Sequence, residues 1–145
     1  MVTTCLELSM AATPESVGPG RRRVAELAAR IGAPTRVVDD VRLCVSEALA
    51  NAVQHAYGRK PGTVAVTVEL DDDEITVVVR DAGRGLAGRR PGRGYGLHII
   101  ESLTRRHVIS STPHGGTEVR MTFGLGKARA PAARAASGRV NRPPA

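Results

Sequence analysis

Thr63-Val64-Ala65-Val66-Thr67-Val68-Glu69-Leu70-Asp71-Asp72-Asp73-Glu74-Ile75-Thr76-Val77-Val78-Val79-Arg80-Asp81 decides the fold class of this chain. Val64, Val66, Val68 and Leu70 recur at every second position, as do Ile75, Val77 and Val79, which is the side-chain period of a pleated strand. Asp71-Asp72-Asp73 separates the two runs with residues that favour a turn. Such alternation predicts an antiparallel sheet with one face on the core and the other toward water. A buried parallel sheet of the dinucleotide-binding kind would instead read as continuous apolar strands.

Outward from this hairpin the pattern changes period. A long helix is predicted from about Pro34 to Tyr57, and a shorter one before it from about Arg21 to Ile31, where Val24, Leu27, Ala28 and Ile31 share a face. Gly32 closes that shorter helix. Thr13-Pro14-Glu15 reads as a helix start, with Thr13 as the N-cap and proline in the first turn. Gly18-Pro19-Gly20 then predicts an interruption. Residues 3–9 suggest a first strand. On the other side, a Gly- and Arg-rich stretch follows Asp81, and a short helix runs from Gly96 to about Thr104. Residues 106–111 and 117–123 predict a closing strand pair with Val119, Met121 and Phe123 in the core. The elements make an α+β unit over residues 1–125. Residues 126–145 are Ala, Arg, Pro, Gly and Ser with little else, which cannot build a core and predicts a disordered tail.

Composition removes several functions. The 145 residues suit one domain, and 41% are apolar, enough for a core. Aromatic residues are 2%, namely Tyr57, Tyr95 and Phe123. A single-stranded nucleic-acid platform stacks bases on several rings and is excluded. The net charge is +7, but five basic residues and no acidic one lie from Lys127 onward, leaving 16 basic against 14 acidic before it. No direct nucleic-acid partner is expected of the folded part. No run of about 18 apolar residues exists, so no membrane span is expected. Met1 to Ala12 carries no secretory signal pattern, and Cys5 and Cys44 cannot make a disulfide framework. A cytoplasmic protein with reduced thiols is the expectation. His55, His98, His107 and His114 lack metal-ligand spacing.

Three segments carry chemistry, and each also has a plainer reading. Glu47, Asn51 and His55 stand at i, i+4 and i+8 of the long helix, on one face, in a stretch from Leu43 to Ala56 without Lys or Arg. A helix so poor in charge is largely enclosed, and its polar groups face a cavity, a ligand or a partner. The plainer reading is a solvated stripe. Val79-Arg80-Asp81-Ala82-Gly83-Arg84-Gly85 ends a strand in a carboxylate and two glycines. There a carboxylate can accept from a ligand amino group, and glycine permits close backbone approach. The plainer reading is a turn. Gly92-Arg93-Gly94-Tyr95-Gly96-Leu97 opens a helix whose free N–H groups suit an anion, or else is a flexible linker. No Gly-Lys-Ser/Thr follows it, so it is not a P-loop.

Taken in order, these motifs resemble the GHKL nucleotide-binding superfamily. Glu47 and Asn51 look like its N box, Asp81, Gly83 and Gly85 like its first glycine box, and Gly92, Gly94 and Gly96 like its second. Gly115-Gly116-Thr117 resembles its last motif. The Ser46-Glu47-Ala48-Leu49-Ala50-Asn51-Ala52-Val53-Gln54-His55-Ala56-Tyr57 string is most similar to anti-sigma regulatory factors with serine/threonine-protein kinase activity. That resemblance implies a Bergerat-type fold, a two-layer α/β sandwich with a mixed, mostly antiparallel sheet and helices on one face.

It also implies roles. Asp81 would bind the adenine amino group of ATP, assisted by Thr117 through water. Asn51 would ligate Mg²⁺ bridging the phosphates. Gly83, Gly85, Gly94, Tyr95, Gly96 and Leu97 would line the nucleotide, with Arg93 and Arg90 as γ-phosphate contacts. Glu47 would be the general base for a partner serine. The implied partners are a sigma factor and an anti-anti-sigma (STAS) protein that is phosphorylated in a partner-switching circuit, and family members are commonly homodimers. The alternative is a nucleotide-gated binding module without catalysis, in which Glu47 only organises water. Two departures from the pattern stand out: a short segment between the glycine boxes, and the basic tail.

Overall fold

The alternating stretch forms two of the three interior strands of a five-stranded sheet in the computed structural model, which describes residues 1–57, 60–83 and 97–126, with 55 and 56 as backbone only. The elements in order are β1 (Thr3–Ala11), α1 (Pro14–Arg30), α2 (Thr35–Asn51), a π turn (Ala52–Ala56), β2 (Thr63–Leu70), β3 (Glu74–Asp81), α3 (Leu97–Leu103), β4 (Arg106–Ser111) and β5 (Thr117–Gly124). The sheet order is β1-β2-β3-β5-β4. Every pairing is antiparallel, so the sheet is not mixed. The expected tail lies, apart from Gly126, outside the described residues.

The period-2 pattern places its apolar set on one face. Val64, Val66, Val68, Ile75, Val77, Val79, Val119, Met121 and Phe123 are buried there. Val24 and Ala28 of α1, Val41, Val45 and Leu49 of α2, and Ile100 of α3 complete the same core. Each fully buried side chain of this size contributes about 1.5–3 kcal/mol, so the helical layer is held mainly by this face. The opposite face is polar. Arg80 pairs with Glu118 at 2.8 Å, Arg120 with Glu69 at 3.2 Å, and the hydroxyls of Thr76 and Thr122 meet at 3.0 Å.

α1 corrects one expectation. It runs unbroken from Pro14 through Pro19, with no interruption at Gly18-Pro19-Gly20. Proline removes one backbone hydrogen bond, a local penalty that packing overrides. Gly20 is buried, and a Cβ there would come within 2.8 Å of Met10 Cε and 2.9 Å of Leu49 Cδ1. That glycine lets α1 lie close on β1 and α2, and it does not break the helix. Thr13 occupies the N-cap in extended conformation, but its side chain makes no capping bond to the backbone. Its hydroxyl meets Ser16 Oγ at 3.2 Å instead. At the far end Gly32 has φ +92°, with Gly32 N–H donating to the Ala29 carbonyl and Ala33 N–H to the Ala28 carbonyl, both at 3.0 Å. This is a Schellman closure, the reason glycine stands there.

The long helix is corrected too. α2 ends at Asn51 and continues as a π turn over Ala52–Ala56, where a single α-helix to Tyr57 was expected. No helix among the described residues is long and apolar enough to cross a membrane.

Candidate functional site

The charge-poor half of α2 supplies the first part of the site. Asn51 is buried, 5% exposed, although it is polar. Glu47, one turn earlier on the same face, is half-buried and makes no hydrogen bond or ion pair with a described residue. Cys44 lies beneath this face, fully buried, and its thiol is pushed up to about 12, first by burial and then by the charges of Asp40 and Glu47. The thiol is therefore kept protonated. The π turn begins directly after Asn51. Such turns occur often at functional sites, because the wider coil redirects the side chains that follow it.

β3 and β5 supply the second part. Asp81 is the last residue of β3 and pairs in register with Thr117, the first residue of β5. Both are buried, at 7% and 2% exposure. Asp81 Oδ1 accepts from the Gly83 N–H at 2.9 Å and from the Thr117 N–H at 3.3 Å. No donor among the described residues is placed on Oδ2. A buried carboxylate with one oxygen pinned by two amides is oriented, and its other oxygen is left to accept from a ligand amino group.

The β4–β5 turn presses against the backbone that carries this carboxylate. A Cβ on Gly116 would overlap the Asp81 carbonyl oxygen and lie 2.6 Å from Ala82 Cα. Only hydrogen fits, which explains one half of the Gly115-Gly116 pair. Gly115, with φ +95°, explains the other. Thr112 fixes the turn: its Oγ1 accepts from Gly116 N–H at 2.9 Å, and its N–H donates to the Gly116 carbonyl at 2.9 Å.

α2 packs against β3, β5 and α3, so the elements that carry Asp81, Thr117 and Leu97 all meet the helix that carries Glu47 and Asn51, and Gly83 follows just past the end of β3. Gly85, Arg90, Gly92, Arg93, Gly94, Tyr95 and Gly96 lie outside the described residues, and His55 is described as backbone only. Sequence reasoning overlooked Tyr57. Its hydroxyl donates to the Thr63 carbonyl at 2.6 Å and accepts from the Ala82 N–H at 2.9 Å. The available signal was an aromatic ring directly after a helical stretch without Lys or Arg, in a chain whose aromatic content is 2%.

Among the described residues no three His, Cys, Asp or Glu side chains gather as a metal site. A divalent ion here would need the substrate's phosphates as ligands, and that is how Mg²⁺ is commonly held, with few protein groups. The single amide of Asn51 fits such a partial donor set.

Comparison with known proteins agrees with this geometry. Residues 10–123 match the family described as the histidine kinase-like ATPase domain. An anti-sigma F factor of Clostridium acetobutylicum is 30% identical over 134 residues, covering 83% of this chain and 94% of the relative. The serine-protein kinase RsbW of Bacillus subtilis is 31% identical over 135 residues, covering 81% and 83%. Among solved structures, one of the RsbU and RsbW domains of a Mycobacterium tuberculosis protein superposes with a TM-score of 0.67 at 28% identity. That match covers 83% of this chain and 31% of the larger one. An oriented carboxylate at the sheet end and a family match over most of the chain lead to one conclusion: the chain belongs to the histidine kinase-like ATPase domain family and is an ATP-using domain.

Proposed function

We propose that this chain is an anti-sigma factor and serine-protein kinase that works by partner switching in the cytoplasm. It sequesters a sigma factor and uses ATP to phosphorylate a serine of an anti-anti-sigma (STAS) partner. The carrying observation is the Asp81 carboxylate, buried, pinned on one oxygen by two amides and without a donor on the other among the described residues. Relatives named as anti-sigma factors and as serine-protein kinases support the sigma-factor and kinase parts of this reading, and the kinases favour catalysis over a binding module.

In this reading Asp81 accepts from the adenine amino group, and Thr117 assists through water. Gly83 and Gly85 let the backbone approach the base. Gly94, Tyr95, Gly96 and Leu97, with Arg93 and Arg90, hold the phosphates. Asn51 holds Mg²⁺, which supplies neutralisation of phosphate charge. Glu47 takes the proton from the partner serine as its oxygen attacks the γ-phosphorus and the bond to the β-phosphate oxygen breaks. Phosphoryl transfer depends chiefly on positioning and electrostatics, so one base and one oriented nucleotide are the parts the chain must provide.

The test uses the full chain with Mg-ATP labelled at the γ-phosphate and purified STAS proteins. Wild type should label a STAS serine, and Glu47→Ala should lose at least about a hundredfold in rate, as a missing general base does, with nucleotide binding kept. Unchanged labelling in that variant removes Glu47 from its role.

A further inference from the structure

One phenol joins the two parts of the site. Tyr57 caps the π turn that follows Asn51, with φ −115° and ψ −5°. Its hydroxyl donates to the Thr63 carbonyl at 2.6 Å and accepts from the Ala82 N–H at 2.9 Å, so one atom serves both backbone groups. Ala82 stands between Asp81 and Gly83, and the Gly83 N–H is one of the two amides on Asp81 Oδ1. The ring lies against Gly62, where any Cβ would overlap it. The hydroxyl thus ties the end of the Glu47/Asn51 helix to the turn that aims the carboxylate.

We propose that Tyr57 is a positioning residue for nucleotide binding: its hydroxyl holds the Asp81–Gly83 turn in fixed relation to the end of the Asn51 helix and so sets the direction of Asp81 Oδ2. The proposal rests on the reading of Asp81 as the base-binding carboxylate. It goes beyond that reading, since that reading gives Tyr57 no part in holding nucleotide or metal, and its hydroxyl acts on the site through the Ala82 amide. Phenylalanine keeps the ring on Gly62 and removes only the joining atom, so the turn loses its tether while the packing stays.

The test is calorimetric binding of Mg-ADP to the full-length protein, well below its melting temperature, with hydrogen exchange followed at the Ala82 amide. Tyr57→Phe should bind about two- to tenfold more weakly, the range that loss of one net hydrogen bond gives. Its Ala82 amide should exchange faster, and in an Asp81→Asn background the same change should have little further effect on affinity. Wild-type affinity in Tyr57→Phe overturns the proposal, whether or not the melting temperature falls, because a purely structural hydroxyl predicts that result. Additive losses in the double variant overturn it as well, since Tyr57 would then act independently of Asp81. Should Tyr57→Phe fail to fold, Gly62→Ala displaces the same ring, and wild-type affinity there is equally fatal. Failure of the nucleotide-site reading shows in a different variant, as wild-type affinity in Asp81→Asn alone.

Discussion

A Cβ at position 116 has nowhere to go. The Asp81 carbonyl oxygen occupies its place, and backbone cannot rotate aside as a side chain can. Gly116→Ala must therefore push the β4–β5 turn away from the end of β3, and the adjacent Thr117 N–H would leave Asp81 Oδ1 with it. Overpacking of this kind costs about 1–3 kcal/mol. We expect a urea midpoint lowered accordingly and Mg-ADP affinity reduced in the same variant; unchanged affinity would separate the turn from the site. At this scale the sequence was most legible where residue type carries chemistry. The enclosure of Asn51 was readable, because an amide in a helical stretch without Lys or Arg needs a reason to be there. Tyr57 was not, because its partners Thr63 and Ala82 are set by tertiary structure, and no local period points to them. Gly62 was overlooked for the same cause, since the ring that excludes its Cβ comes from across the turn.

Among the elements, the hairpin of β2 and β3 followed its alternation directly, because a period of two admits one burial pattern per register. α1 did not follow its local signals. Glycine and proline argue for a break, yet a buried face of Val24, Ala25 and Ala28 outweighs one missing hydrogen bond. The π turn left no mark in the residue pattern at all. The polar face of the sheet carries an expectation of its own. Glu74, at the start of β3, accepts from Arg106 at 2.8 Å and from Arg105 at 2.8 Å, and these hydrogen bonds hold its carboxyl down at about 2. The folded value lies below the ordinary 4.5, so the stabilisation is complete above about pH 4.5 and is lost as pH falls toward 2. Both arginines are substantially exposed, so the effect is screened and small. Glu74→Gln should lower the urea midpoint slightly at pH 6. It should also show a shallower fall in stability than wild type between pH 4.5 and pH 2.5. Parallel acid curves for the two proteins would assign the acid sensitivity to other carboxylates, Glu118 first, whose carboxyl is also lowered by Arg80.

For the whole molecule, the sheet order matters more than any single strand. β3 and β5 are neighbours although Asp81 and Thr117 are 36 residues apart, and α2 lies across both. The site therefore has no local precursor in the unfolded chain, since its parts meet only when helix layer and sheet are assembled. A ligand of such a site binds the native state alone and stabilises it by mass action. At a nucleotide concentration of about 100 times Kd the gain is about 2.7 kcal/mol. For a domain of this size that corresponds to a rise in melting temperature of about 5–10 °C. We expect Mg-ATP to produce this shift in the wild type, and Asp81→Asn to show a clearly smaller one at the same concentration. The size of the shift should also grow with the logarithm of nucleotide concentration, as linkage requires. An equal shift in both proteins would mean that the nucleotide is held away from the end of β3.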